Sequence, residues 1–185
     1  VDWDTNIGEL IGKVDKNYNK ILPAVNVKYS LANNQNLRFS ASKTYTLPLE
    51  KEMAPIAYNN VTSTTNGQPL LYPTDNYNAE FKWEMFPTKD EVFSVTAFGK
   101  YIQNPISRVN VASASANDLT YVNTGDHGYV YGAEVELRKN LFEFSNDSKL
   151  YTIINAAVLD SKQQLDFEKV SKETGLASAF TNKEE

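Results

Sequence analysis

The sequence contains no cysteine and only one histidine, His127, in 185 residues. Without cysteine, the chain cannot build a disulfide framework, a thiolate nucleophile, or a zinc or iron–sulfur site with cysteine ligands. A single histidine excludes a multi-histidine metal site and argues against a serine–histidine–aspartate triad. We therefore expect no metal and no cofactor, and we expect that the protein is not an enzyme.

The sequence also has no excess of basic residues and no long apolar run. Lys and Arg total 18 against 23 Asp and Glu, which gives a net charge of -5. Because nucleic-acid binding requires clustered basic residues, we expect no nucleic-acid partner. No apolar segment approaches the roughly 18 residues of a membrane helix. With 41% hydrophobic and 12% aromatic residues, the chain is nevertheless too apolar to be disordered.

Both ends of the sequence resemble cut points. The chain starts at Val1 without an apolar leader and finishes on Asn182, Lys183, Glu184 and Glu185. We expect it to be a piece of a larger protein.

Alternation with a period of two residues dominates the rest of the chain. In 36–47, for example, apolar Leu37, Phe39 and Tyr45 alternate with polar side chains. Because successive side chains of a strand point to opposite faces, this pattern predicts half-buried strands. The predicted strands lie near 21–31, 36–47, 77–86, 92–102, 129–141 and 150–160. The last of them is apolar on both faces, and its register is ambiguous.

The connections between these strands alternate in length. Three are short and carry turn-forming residues, and the other two, 48–76 and 103–128, are long and polar, as is the segment 161–185 that follows the last strand and is interpreted as a third long loop. This alternation is typical of outer-membrane barrels, which have short periplasmic turns and long extracellular loops. Aromatic residues near strand ends favour the same interpretation, since such barrels carry aromatic girdles at both interfaces. A soluble antiparallel sheet also alternates, so alternation alone does not decide.

Six strands are too few for a complete membrane barrel. Closure takes at least about eight strands, and an open sheet edge in lipid leaves backbone groups unsatisfied. We therefore predict an all-β fold in which about six antiparallel strands form part of a large transmembrane β-barrel, without a plug domain.

Five segments of the chain follow a recognisable order and spacing: 36–48 (NLRFSASKTYTLP), 51–55 (KEMAP), 66–73 (NGQPLLYP), 123–125 (NTG) and 131–136 (YGAEVE). Together they resemble the barrel of TonB-dependent outer-membrane receptors, in particular those abundant in Bacteroidetes. The third resembles the family loop N-P-x-L-x-P-E, with Gln68 and Thr74 in place of the usual Asn and Glu. The last two resemble a late-barrel signature, N-x-G followed by x-G-x-E-x-E.

The resemblance implies a location in the bacterial outer membrane and a role in transport. Such receptors have a barrel of about 22 strands filled by an N-terminal plug, which links them to the TonB energy-coupling complex. They take up a scarce small molecule or glycan, such as a siderophore, a vitamin or an oligosaccharide. The expected partners of this segment are therefore the TonB complex, through a plug region absent from this sequence, the ligand, and outer-membrane lipid.

Two groups of residues are candidates for contact with a ligand. Charged residues on the polar faces of the strands would line the lumen, where they could steer a solute or simply solvate the interior; they are Arg38, Glu80, Lys82, Glu84, Glu134, Glu136 and Arg138. The second group, Tyr58, Tyr72 and Tyr121, lies in the long loops and could stack on a ligand or pack locally. His127 is interpreted as a solvated turn residue.

Paired carboxylates such as Glu80 and Glu84 could in principle divide the acid and base roles of a glycosidase. They belong to regular alternating polar rows, however, and this explains them without catalysis. The charged segment that begins at Asp166 has a slightly helical pattern and is interpreted as a loop insert.

The alternative hypothesis is a soluble or surface-exposed β-sandwich that binds a ligand such as a glycan. A sandwich would pack Phe39, Phe81 and Val135 into a core, whereas a barrel segment would leave them outward and uncovered. A barrel of the same family that transports no ligand is not distinguished by sequence.

Overall fold

The computed structural model describes residues 4–7, 10–13, 16–54, 56–111, 118–145 and 148–174. The chain forms, in order, β1 (Asp4–Ile7), β2 (Leu10–Lys13), β3 (Ala24–Ala32), β4 (Gln35–Thr46), α1 (Glu50–Met53), β5 (Ala57–Asn59), β6 (Thr64–Asn66), β7 (Thr74–Met85), β8 (Val92–Gln103), β9 (Ile106–Val111), β10 (Asp118–Asn123), β11 (His127–Ser145), β12 (Ser148–Gln163) and α2 (Phe167–Thr174).

Six strands form one antiparallel sheet, the wall sheet, in the order β12-β11-β8-β7-β4-β3. Neighbouring strands are consecutive hairpins, so the prediction of about six antiparallel strands is confirmed. The register brings the apolar rows of successive strands side by side: Leu37 faces Trp83, Trp83 faces Val95, and Val95 faces Val135. One surface of the wall sheet is therefore apolar and the other is polar, and we call them the apolar face and the charged face.

The apolar face is uncovered. Phe39, Phe81 and Val135 are 43%, 49% and 38% exposed, and in the described parts of the chain no second layer packs on them. The β-sandwich hypothesis is therefore wrong, because a sandwich buries these rows. Within the described residues the wall sheet also remains open, with β3 at one edge and β12 at the other.

The register of the sixth strand, ambiguous in the sequence, is set by its pairing with β11. Ala156 faces Val135 and Val158 faces Ala133, which places both on the apolar face. Ala157 faces Glu134 and therefore lies on the charged face. The charged face of β12 also carries Ile153 and Leu159, which face Arg138 and Gly132, so β12 is apolar on both sides.

A β-bulge changes which residues of β11 face outward near its end. Leu141 has no partner on β12, because Asn140 pairs with Tyr151 and Phe142 pairs with Leu150. The extra residue reverses the alternation, so Phe142 and Phe144 lie on the apolar face instead of sharing a side with Arg138. Their rings lie 6.2 Å apart and extend the aromatic surface toward the short turns.

Deletion of Leu141 is expected to prevent correct assembly of this hairpin. Without the bulge, Phe142 and Phe144 turn toward the charged face, and Glu143 turns toward the apolar face. The variant Leu141→Ala keeps the residue count and removes a side chain that is 48% exposed, so it should assemble normally. Heat-modifiable gel migration of the full-length protein measures assembly, and equal migration of the two variants would contradict the role given to the bulge.

The long connections form a second sheet, the loop sheet, at one end of the wall sheet. They were expected to be loops over 48–76 and 103–128, but they carry four strands in the order β5-β6-β10-β9. Strand β10 runs parallel to β6 and antiparallel to β9. The expected loop 161–185 begins with the last residues of β12 and includes α2, while 175–185 lies outside the described residues.

In the parts of the chain that the structure describes, the buried apolar side chains lie at this loop end of the molecule rather than in the wall sheet, whose buried side chains are polar. Among the described residues, Leu71, Val122, Asn123 and Thr124 are fully buried, and Val170 of α2 is 6% exposed. The loop end thus has a small core of its own. No helix in the described segments is both long enough and apolar enough to cross a membrane.

Candidate functional site

The predicted lumenal residues all belong to the charged face. Arg38 faces Lys82, and Lys82 faces Thr96, which in turn faces Glu134. One row nearer the short turns, Glu84 faces Ser94, and Ser94 faces Glu136. Glu80 faces Phe98, and Arg138 faces Ile153 of β12. The alternation in the sequence therefore located these side chains on a common surface.

Three of these residues form an ion cluster. The Arg38 Nε lies 2.7 Å from Glu84 Oε2, and the Lys82 Nζ lies 3.6 Å from Glu84 Oε1. Glu84 is only 9% exposed, so its charge requires such partners. This cluster stabilises the polar wall, and its groups are already engaged with one another.

A cleft opens beside Arg138 on the charged face, near the short turns. It has a volume of about 510 Å³ and is lined by basic Lys89 and Lys149 together with Asp90 and Tyr151. Lys149 lies 3.6 Å from Glu143 and 3.9 Å from Asp90. The sequence analysis did not identify this cleft, because its residues come from two different turns.

Two of the three loop tyrosines share one face of the loop sheet. Tyr58 faces Thr65, Thr65 faces Leu119, and Tyr121, two residues beyond Leu119, faces Arg108. Thr120 and Val122, on the opposite face, are buried. Tyr58, Tyr121 and Arg108 thus form the capture face, an aromatic and cationic surface pointing away from the loop core. Arg108 was missed because only aromatic side chains were considered as ligand contacts in the long loops.

Tyr72 does not belong to this surface. The backbone N–H of Tyr72 donates to Asn123 Oδ1 at 3.2 Å, and Asn123 Nδ2 donates to the carbonyl oxygens of Tyr72 and Asn104 at 3.1 and 3.0 Å. The Tyr72 ring lies 5.7 Å from the Lys169 ammonium of α2. Tyr72 therefore fastens α2 to the loop core.

Lys169 completes this fastening. Its ammonium donates to the Gly125 carbonyl and to Asp126 Oδ1, both at 3.0 Å. Burial lowers the pKa of Lys169, but the Tyr72 hydroxyl and the Asp126 carboxylate outweigh it, so the pKa lies above its usual value. Lys169 therefore stays charged over the physiological pH range, and in this form it holds α2 against the loop core.

The NTG motif holds the end of β12 against the loops. Gln163 Nε2 donates to Ser107 Oγ and to Thr124 Oγ1, each at 2.7 Å. A Cβ on Gly125 would lie 2.3 Å from the carbonyl oxygen of Gln164, so only glycine permits this approach. The contacts of Thr124 and Gly125 with the end of β12 therefore explain the NTG motif as a packing feature.

The sequence suggested that His127 is a solvated turn residue, and this interpretation is wrong. His127 is the first residue of β11, and its ring stacks on Tyr101 with centroids 6.2 Å apart and an interplanar angle of 12°. No group of three or more potential metal ligands occurs in the described residues. His127 contributes to the aromatic row at the loop end of the apolar face.

Comparison with protein families identifies this arrangement. Residues 2–178 match the family model described as TonB dependent receptor-like, beta-barrel. The chain belongs to this family. TonB-dependent receptors are transport receptors of the bacterial outer membrane and are not an enzyme family, and we call this chain the receptor segment. No curated protein sequence matches the chain.

The solved structures with a similar fold are larger receptors, and the chain matches only a part of each. The siderophore receptor PirA from Pseudomonas aeruginosa matches with a TM-score of 0.55 and 18% identity, over 75% of this chain and 25% of that chain. The G324V mutant of the ferric enterobactin receptor PfeA, from the same organism, matches with a TM-score of 0.55 and 16% identity, over 74% and 22%. The R480A mutant of PfeA in complex with enterobactin matches with a TM-score of 0.54 and 18% identity, also over 74% and 22%. The receptor segment thus spans about a quarter of their length.

Proposed function

We propose that the chain forms part of the barrel wall and of the external surface of an outer-membrane receptor that imports a scarce small ligand with energy delivered through TonB. One observation carries the proposal: a single-layered sheet is apolar on one side and charged on the other, and a folded loop sheet stands at one end only. A wall between lipid and a polar lumen has this construction.

The loop end is proposed to face the outside of the cell. In outer-membrane barrels the long loops are extracellular and the short turns are periplasmic. In this orientation the capture face meets incoming ligand. Glu80, Glu134 and Glu136, together with the Arg38–Lys82–Glu84 cluster and Arg138, line the lumen. Coupling to TonB would run through a plug domain, in contact with the charged face.

A siderophore is the first ligand class to test, because the similar structures are those of siderophore receptors. The capture face supports it physically, since aromatic rings and an arginine suit a flat, anionic ligand. Tyr58 is 41% exposed on the capture face, so its ring is accessible for stacking on a ligand. Vitamins and oligosaccharides are the other ligand classes to test.

Uptake by cells that express the full-length receptor tests the proposal. Iron-labelled ferric enterobactin is the first probe, and cobalamin and an oligosaccharide follow. We expect TonB-competent cells to accumulate one of these ligands, and isogenic cells without TonB to bind it at the surface without accumulation. No accumulation of any class, or equal accumulation without TonB, would contradict the proposal.

Truncation of the capture face is expected to weaken surface binding. The triple variant Tyr58→Ala, Arg108→Ala and Tyr121→Ala removes two aromatic anchors and one cation, which should lower affinity about tenfold or more. The matched control, Tyr29→Ala, removes an exposed tyrosine from the apolar face near the short turns and should bind normally. Equal binding by both variants would exclude the capture face as the binding surface.

A further inference from the structure

A groove crosses the apolar face near its loop end. Its volume is about 420 Å³, and its lining includes Tyr77, Tyr101, Tyr129 and Tyr131 around Ala79 and Gly99. Tyr77, Tyr101 and Tyr129 occupy one row across β7, β8 and β11, and Gly99 lies in the next row, opposite Ala79 and Tyr131. A Cβ on Gly99 would meet no atom within 4 Å, so the space above this glycine is open.

The groove lies on the surface that contacts lipid in this family. Asn78, Lys100 and Val130 also border the groove, but its lining surface is mostly apolar, so hydrocarbon is the chemistry that fits. Rows of aromatic residues lie at the membrane interface of outer-membrane barrels. The groove starts in such a row of tyrosines, so we expect it to lie where lipid headgroups meet acyl chains.

The two sides of the groove differ in charge. Beside Tyr77, the Lys20 ammonium lies 2.9 Å and the Lys43 ammonium 3.6 Å from the carboxylate of Asp75. Two cations thus share one anion, and Lys43 lies 5.2 Å from the centre of the Tyr77 ring. On the other side, the Tyr131 hydroxyl donates to Asp160 at 2.9 Å. Lys162 of β12 faces Tyr129, so Asp160 also has a cation nearby. The Lys20–Lys43 side is nevertheless the side with an excess of positive charge, two cations to one carboxylate, and it attracts an anionic headgroup.

We propose that this groove binds one anionic lipid of the outer membrane, with an acyl chain over Gly99 and the headgroup phosphate beside Lys43 and Lys20. The inference rests on the membrane orientation proposed above, but it is independent of which ligand the receptor imports. The site concerns the outer surface of the wall, so occupancy by lipid and uptake of ligand are measured separately.

Native mass spectrometry of the detergent-purified, full-length receptor tests the site, with phosphatidylglycerol as the anionic probe and phosphatidylcholine as the neutral one. We expect one phosphatidylglycerol to bind with higher affinity than any phosphatidylcholine. Gly99→Leu fills the groove and should abolish this binding. Ala97→Leu, at an exposed position one row nearer the short turns on the same face of β8, should leave it unchanged.

Lys43→Gln should weaken the preference for phosphatidylglycerol over phosphatidylcholine about fivefold, the effect of one lysine near an anionic lipid. Heat-modifiable migration checks that each variant folds, and the Lys43→Gln variant decides the question if Gly99→Leu does not fold. Equal affinity for the two lipids, or equal binding by Gly99→Leu and Ala97→Leu, would overturn the proposal. Ligand uptake by the Gly99→Leu variant is measured as well. If this variant loses lipid binding but still imports ligand, the lipid site and the proposed transport function are shown to be separate.

Discussion

Substitution of Gly132 by alanine is expected to lower the free energy of unfolding of the receptor by about 1–3 kcal/mol, the usual cost of overpacking. Gly132 lies on the charged face of β11, between β8 and β12. A Cβ there would lie 2.5 Å from the Val158 carbonyl oxygen and 2.7 Å from Cζ of Phe98. The ring can move, but the carbonyl oxygen belongs to the β12 backbone. Relief of the clash therefore requires a shift of β12 away from β11.

Gly99→Ala is the matched control. Gly99 lies on the neighbouring strand, opposite Tyr131, and a methyl group there would meet no atom within 4 Å. We expect this variant to stay within about 0.5 kcal/mol of the wild type. Guanidinium unfolding of the full-length receptor in lipid vesicles, followed by far-UV circular dichroism, measures both. A Gly132→Ala protein as stable as Gly99→Ala would show that β12 adjusts freely.

Substitution of Asn123 by alanine is expected to detach the loop elements from one another. The fully buried side chain accepts the Tyr72 N–H and donates to the Tyr72 and Asn104 carbonyls. Its truncation removes these three hydrogen bonds to backbone groups of the loop core, which should cost about 3 kcal/mol. Because the wall sheet keeps its own hydrogen bonds, the barrel should remain folded while the loops become accessible to protease.

Limited proteolysis of the full-length receptor in detergent, with heat-modifiable migration as the readout of the barrel, checks this prediction. Asn110→Ala, at an exposed position of β9 in the loop sheet, is the control and should remain resistant. Asn123→Asp separates loss of hydrogen bonding from loss of volume. It preserves the shape but replaces the donating amide with a carboxylate that repels the Tyr72 and Asn104 carbonyls, so we expect cleavage comparable to that of Asn123→Ala. Resistance of both Asn123 variants would show that the loop core does not depend on this amide.

The wall sheet could be predicted from sequence because its physical determinants are local. A strand between lipid and a polar lumen must alternate residue by residue, and 36–47 or 77–86 display this alternation without reference to any partner. The same rule located the charged residues on a common face. It failed at Leu141, where one unpaired residue reverses the alternation, so the predicted strand ended at 141 although β11 continues to Ser145.

The loop sheet could not be predicted, because its strands are short and depend on distant partners. Strands β5 and β6 have three residues each, too few to show an alternation, and each ends in Asn, which favours turns. Asn123 shows the same limit: its bonds to Tyr72 span 51 positions of the chain. The sequence proposed Tyr58 and Tyr121 but could not show that they share a surface with Arg108, because their common face depends on the pairing of β5, β6, β10 and β9.

The parallel pairing of β6 with β10 has a consequence for the order of folding. These strands belong to different connections, and their partners, such as Asn66 and Thr120, are 54 positions apart. The β3–β4, β7–β8 and β11–β12 hairpins each close a short chain segment, whereas the β6–β10 contact must close a long one and is therefore expected to form later. Strands β7 and β8 lie between them in sequence, so their hairpin brings the two connections together. The wall sheet thus acts as the template on which the external surface folds, and that surface matures last.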